Sequence, residues 1–201
     1  MNPKPAKRLL DILFSLTGLL ILSPLFAVVA LLIKLDGDGP VFFRQERVGK
    51  DFQPFRIYKF RTMHPSAENK GPLITVRGDA RITKIGALLR KYKIDELPQL
   101  LNVLKGDMSF VGPRPEVKKY VRLFNSEYKK LLKIRPGITD PASIKYSDEE
   151  RVLSQSGNWE EDYTKKILPE KIKLSLHYAD NYNVITDLNL ILKTIFKSSA
   201  G

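Results

Sequence analysis

The apolar positions of this 201-residue chain fall into blocks of different period. From Ile12 to Ile33 no residue is charged. At about 1.5 Å per residue such a run makes a helix of roughly 33 Å, enough to cross a bilayer. Ser23-Pro24 sits in its middle, where proline removes a backbone hydrogen bond and bends the helix. Asp36-Gly37-Asp38-Gly39-Pro40 is a turn cluster that ends this element. Val41–Gln45 and Phe55–Phe60 are β-prone, with Gly49-Lys50-Asp51 between them, and predict a hairpin. Met63 to Ala80 has little periodicity and predicts a long loop. Arg81 to Lys91 predicts a helix with Ile82, Ile85, Leu88 and Leu89 on one face.

Another helical pattern follows at Leu97, Leu100, Leu101 and Leu104, with Asp95 at its start and Pro98 in its first turn. Glu116 to Leu132 predicts one amphipathic helix, lined by Val117, Tyr120, Val121, Phe124, Tyr128, Leu131 and Leu132. Arg135 to Thr139 reads as a turn, and Ser147 to Asp162 as a loop or short surface helix. Tyr163 to Tyr182 and Val184 to Phe196 are helical again. The last of these packs on the core or lies in a membrane interface.

Composition narrows the class. The chain carries 34 Lys+Arg against 22 Asp+Glu, a formal charge of +12. Such a balance calls for an anionic partner: acidic lipid, a phosphorylated substrate or nucleic acid. There is no cysteine, which excludes disulfides, thiolate metal sites and a thiol nucleophile. Two histidines cannot build a histidine-rich metal cluster. Positive charge flanks both ends of the apolar run: Lys4, Lys7 and Arg8 before it, Lys34, Arg44, Arg47 and Lys50 after it. A single spanning helix is the default for such a run. Positive charge at both flanks puts both ends on one side, which favours a bent, re-entrant helix hinged at Ser23 and Pro24.

The candidate chemistry lies between Ile94 and Pro115, in I-D-E-L-P-Q-L-L-N-V-L-K-G-D-M-S-F-V-G-P-R-P. Asp95 and Glu96 are adjacent carboxylates, and Arg114 is held between two prolines. By itself Asp-Glu before a helix is an N-cap with favourable first-turn charge, and Pro-Arg-Pro is a stiff loop. The whole string is more specific. It closely resembles the signature of the bacterial sugar transferases, the monotopic phosphoglycosyl transferases. F-x-Q-x-R-x-G with Y-K-F-R-T-M, R-x-T-x-x-G-x-x-L-R before Asp95, and R-P-G-I-T at Arg135 are similar to the same family. The chain departs from the commonest family pattern at Asp140–Tyr146, and Ser175 stands where members often carry Asp before Y-x-x-N.

The resemblance implies a mainly helical α+β fold. A re-entrant membrane helix (residues 1–36), broken at the Ser-Pro pair, would precede a compact cytoplasmic catalytic domain (residues 37–201) with a β-hairpin and amphipathic interfacial helices. It implies transfer of a sugar-1-phosphate from a UDP-sugar to polyprenyl (undecaprenyl) phosphate, with release of UMP. Asp95 would be the nucleophile, and Asp95 or Glu96 would hold Mg²⁺. Lys59, Arg90, Arg114 and Arg135 would bind phosphate oxygens. The expected setting is the cytoplasmic face of the bacterial inner membrane, among its lipids, with no nucleic-acid partner; a homodimer is compatible with it. Lys59 and Arg61 share one face of the second strand and could meet diphosphate. Asp107 is expected to be structural. The rivals are a glycosyl transfer that releases UDP and a non-catalytic, membrane-bound basic binding protein.

Overall fold

The computed structural model describes residues 3–65, 75 and 78–199. Most of the expected Met63–Ala80 loop lies outside the described residues. The architecture is mainly helical with two small sheets. One long helix, α1 (Pro3–Leu35), lies across the rest of the chain. The predicted hairpin is present as β1 (Phe42–Val48) and β2 (Pro54–Phe60), paired antiparallel with Phe43 opposite Lys59. Helices α2 (Lys84–Lys91) and α3 (Gln99–Lys105) follow. A second sheet pairs β3 (Ser109–Val111) in parallel with β4 (Gly137–Thr139).

Between those strands the expected Glu116–Leu132 helix is divided into α4 (Lys118–Leu123) and α5 (Asn125–Leu131). The break is at Phe124, whose φ of −125° and ψ of 43° are not helical. On either side of the break Tyr120, Val121, Tyr128, Leu131 and Leu132 pack into the same core. Beyond β4 come α6 (Pro141–Lys145), α7 (Glu149–Ser154) and α8 (Trp159–Asp162). A π-helical turn (Tyr163–Ile167) leads into α9 (Leu168–Asn181), with Pro169 in its first turn, and α10 (Val184–Ser199) ends the described chain.

Helix α1 is long and apolar enough to cross a membrane, and little of its apolar stretch is buried. Leu20 and Ile21, in its middle, are 68% and 71% exposed. Both of its halves nevertheless dock on the same body. Near its start, Lys7 donates to the Val111 carbonyl at 2.9 Å and pairs with Asp187. Arg8 donates to the carbonyls of Val103 and Leu104 in the last turn of α3. Asp11 is buried and accepts from Ser109 Oγ and the Phe110 N–H, both at 3.0 Å. Near its end, Val29 and Ile33 join a core cluster with Phe60 and Leu89, and Phe26 stacks edge-on against Phe60 at 5.2 Å.

The helix is continuous through Ser23-Pro24 rather than broken there. Proline at position 24 has no N–H for the Leu20 carbonyl. The Ser23 hydroxyl donates to that same carbonyl at 2.8 Å, so the proline leaves no orphan acceptor. Arg61 is likewise not on the face expected of it. It lies just beyond β2 and is buried, donating to the carbonyls of Ile33, Gly37 and Asp38. Its charge neutralises the C-terminal dipole of α1 instead of facing a substrate.

Candidate active site

Three backbone devices place the candidate site. Asn102, fully buried in α3, copies a strand neighbour: its Oδ1 accepts from the Tyr58 N–H at 2.9 Å and its Nδ2 donates to the Arg56 carbonyl at 2.8 Å. That fixes β2 on α3, so the next residue, Lys59, points at the turn that precedes α3. The second device is α2, whose N-cap Thr83 accepts from the Gly86 N–H at 2.9 Å. A Cβ on Gly86 would lie 2.1 Å from the Thr62 carbonyl oxygen, so only glycine lets α2 sit this close to the chain leaving the hairpin. The third is the crossing of the two glycine-proline loops. The Gly112 N–H donates to Thr139 and the Gly137 N–H to Pro113, both at 3.0 Å. A Cβ on Gly137 would stand 2.1 Å from the Gly112 nitrogen. This contact fixes the Pro113-Arg114-Pro115 loop.

The carboxylates occupy a 3₁₀ turn, Ile94–Glu96, entered through Lys93 in the left-handed conformation (φ 55°). Asp95 is therefore not the N-cap its sequence position suggests; Pro98 precedes α3 and no side chain caps it. Asp95 is only 4% exposed, and its Oδ1 is buried without a hydrogen-bond partner. Its Oδ2 lies 4.0 Å from Lys59 Nζ. Glu96 is engaged on both oxygens. Arg114 Nη2 lies 2.5 Å from Oε1, Arg114 Nη1 3.4 Å from Oε2, and Lys59 Nζ 2.7 Å from Oε1.

The two acids therefore differ in character. Burial raises the Asp95 pKa above the usual carboxylate value; Lys59 opposes this and Glu96 adds to it. Burial would raise Glu96 too, but the Arg114 guanidinium and the Lys59 ammonium outweigh it and hold Glu96 well below its ordinary value. Glu96 in turn raises the Arg114 pKa, against the effect of burial. One acid is a neutralised clamp, and the other keeps an uncommitted oxygen, with Lys59 beside its carboxylate. That is the arrangement a carboxylate nucleophile needs, with charge provided for an anionic target.

Of the residues expected at the site, the structure brings Lys59, Asp95, Glu96 and Arg114 together. Arg90, on α2, is close enough for its charge to lower the Asp95 pKa, though it makes its own contacts with Glu150 and Thr75. Arg135 is not brought to the carboxylates. Its Nε donates to the Gly106 carbonyl at 2.7 Å, at the C-terminal end of α3. The dyad lies off the other end, and a helix of this length spans about 10 Å. Asp107 accepts from Asn102 at 3.2 Å and helps close the same C-terminal turn.

Residues not singled out from sequence support Arg114 from behind. Glu116 is buried, accepts from the Tyr163 hydroxyl at 2.7 Å and lies 3.9 Å from Arg47. Lys171, also buried, pairs with Glu149 at 2.7 Å. A crevice holding about one water-sized volume, ≈ 20 Å³, runs between Arg114, Glu116, Asp140, Lys171 and Ser175. Asp140 caps α6 through the Ser143 N–H at 2.7 Å and accepts from Ser175 at 2.6 Å. The two positions at which the chain departs from its resemblance are thus partners. Only the F-x-Q-x-R-x-G string pointed to Arg47; Glu149 and Lys171 had no local signal.

Whether the dyad suits magnesium turns on its free oxygens. Both Glu96 oxygens are taken by cations, which leaves Asp95 Oδ1 as the unpartnered oxygen of the pair. Among the described residues there is no group of three or more His, Cys, Asp or Glu arranged as a metal cage. One carboxylate oxygen fits an ion that takes its remaining ligands from substrate phosphates and water, the usual manner of Mg²⁺.

A family model described as bacterial sugar transferase matches residues 2–201. The chain belongs to the bacterial sugar transferase family. An exopolysaccharide production protein of Rhizobium leguminosarum bv. phaseoli is 39% identical over 196 residues, covering 94% of this chain and 92% of the relative. A UDP-N-acetylgalactosamine-undecaprenyl-phosphate N-acetylgalactosaminephosphotransferase of Aeromonas hydrophila is 39% identical over 199 residues, 94% of this chain. A UDP-glucose:undecaprenyl-phosphate glucose-1-phosphate transferase of Caulobacter vibrioides is 36% identical over 192 residues, also 94% of this chain. The chain spans only 42% of the Aeromonas protein and 68% of the Caulobacter one.

Proposed function

We propose that this sugar transferase moves a sugar-1-phosphate from a UDP-sugar to polyprenyl phosphate and releases UMP. The observation that carries the reading is the Asp95 carboxylate, buried, with a free oxygen, beside a glutamate neutralised by Arg114 and Lys59. In the first step an Asp95 oxygen bonds to the donor's β-phosphorus. The bond from that phosphorus to the bridging oxygen breaks, and its electron pair leaves on UMP. In the second step an oxygen of the lipid phosphate attacks the same phosphorus. The aspartyl–phosphorus bond breaks and the carboxylate is restored, with no net proton change. Arg114 and Lys59 are placed to offset charge on the phosphate oxygens as it develops. Magnesium, where bound, supplies further neutralisation of the diphosphate, with Asp95 as its protein ligand.

The names of the relatives support the undecaprenyl phosphate acceptor, and they divide between acetamido sugar and glucose on the donor side. The acceptor's phosphate cannot leave the headgroup plane, so the dyad must work at a membrane surface. Both halves of α1 contact the same body, and both ends carry positive charge. These facts support both ends of α1 lying on one side of the membrane, with the catalytic body on the cytoplasmic side. The test is a nucleotide-release screen over a panel of UDP-sugars with undecaprenyl phosphate and Mg²⁺. UMP is the expected product; UDP would establish simple glycosyl transfer, and no nucleotide from any donor would overturn the enzymatic reading.

The Asp95 pKa also makes a pH prediction. The attacking form is the carboxylate, so kcat/KM should fall as pH drops through a value above the ordinary aspartate range. Lys59 favours the charged form, so its removal disfavours ionisation. Lys59→Met is therefore expected to move the acidic limb of the pH–rate profile to higher pH, besides lowering the plateau. An unmoved or lowered limb would show that Asp95 does not govern it.

A further inference from the structure

Arg90, whose charge acts on Asp95, is tied to α7 by an ion pair that no catalytic role requires. Arg90 Nη1 lies 3.3 Å from Glu150 Oε1, and Arg90 Nη2 lies 3.3 Å from Thr75 Oγ1. Arg90 Nε is buried with no hydrogen-bond partner, so the guanidinium has unused donor capacity. The two side chains differ in exposure, 21% for Arg90 and 44% for Glu150. The neighbouring Glu149 is anchored more firmly, on buried Lys171 at 2.7 Å, in the crevice that Arg114 also lines. The first turn of α7 therefore reaches from the Arg114 side of the dyad to the Arg90 side. A carboxylate at its rim holds the arginine whose charge acts on Asp95.

We infer that Glu150 is a placeholder for a donor phosphate: it holds Arg90 in the ligand-free protein and yields the guanidinium to the diphosphate on binding. This rests on the donor reading above. A long, half-exposed carboxylate pair contributes little net free energy. A phosphate offers the guanidinium fork a stronger, bidentate, charge-assisted partner. The exchange frees Glu150 and lets α7 shift about its Glu149–Lys171 anchor. Trp159, the single tryptophan of the chain, opens α8 just beyond α7 and packs against the core, so its emission reports the shift. Glu150 is thus a residue that sets donor affinity by competition rather than by contact.

The experiment titrates UDP into the whole 201-residue chain in detergent, reading calorimetry and Trp159 fluorescence. Glu150→Gln is expected to bind UDP about threefold more tightly, the scale on which a rim ion pair competes. Arg90→Gln should bind ~tenfold more weakly, and Arg90→Lys, which keeps the charge but not the fork, should fall between. In the Arg90→Gln background, Glu150→Gln should add nothing. Glu127→Gln, on α5 and outside the residues named at the site, should match the unaltered protein. Unchanged or weaker binding by Glu150→Gln, with the unaltered protein binding UDP, overturns the inference. So does a tightening that persists without Arg90, which would be a general charge effect. Absence of UDP binding to the unaltered protein would overturn both this inference and the donor reading. UMP release with normal UDP binding and no Glu150 effect would overturn this inference alone.

Discussion

Asparagine in place of Asp95 is expected to abolish UMP release and lipid product together, by on the order of 10⁴-fold or more in kcat, as removal of a covalent nucleophile does. The substitution changes little else. The amide is nearly isosteric, and it removes a charge whose burial is unfavourable where it stands, so the melting temperature should hold or rise. A donor labelled in its sugar, given without acceptor, should label the unaltered protein and not Asp95→Asn. The label should be lost on addition of polyprenyl phosphate, and to hydroxylamine, as an acyl phosphate would be. Ordinary turnover by Asp95→Asn would exclude the covalent route and leave direct attack by the lipid phosphate.

Removal of Arg114 should be the next largest effect, and here activity and stability should fall together. Arg114→Met leaves Glu96 buried with Lys59 as its remaining close cation. It also removes the positive charge that separates Glu96 from Glu116 and Glu149, both of which act on Arg114. Breaking one partner out of a buried pair costs about 3–5 kcal/mol. Loss of one charged oxyanion contact costs on the order of 10²–10³ in kcat. Chemical denaturation and steady-state kinetics on the same preparation check both figures. If activity fell while stability was untouched, the Glu96 clamp would be energetically unimportant. If stability fell while kcat held, Arg114 would be only a scaffold. The double variant Glu96→Gln with Arg114→Met should regain much of the lost stability, since no buried charge is then left alone, and none of the lost rate.

Much of the site was readable one residue at a time. Asp95-Glu96 and Pro113-Arg114-Pro115 are local strings, and alternation of apolar and basic residues placed Lys59 on a hairpin that the structure contains. The parallel pair of β3 and β4 was missed because strands of three residues show no period. The spacing predicts one Glu116–Leu132 helix because a non-helical Phe124 leaves the apolar period intact on either side. The arginines were the least readable. Arg61, Arg114 and Arg135 all sit in strings that resemble the family's motifs, yet a guanidinium serves equally well against a helix C-terminus or a phosphate. Arg61 meets the end of α1 and Arg135 the end of α3. Glu149, Glu150 and Lys171 lie far along the chain from Asp95, and no local pattern connects them to it.

From the chain alone came the order of the elements, the apolar helix with its serine-proline pair, and the identity of the acidic dyad. These depend on spacing, turn chemistry and a string of fixed residues, all of which are local. The fold decided which acid is clamped and which keeps a free oxygen, and which arginines stand near them. It did so because a carboxylate's ionisation and a guanidinium's choice of partner depend on burial and on neighbours within a few ångströms. Those neighbours are brought together by contacts such as Asn102 on β2 and Gly137 on Gly112, between segments distant in sequence.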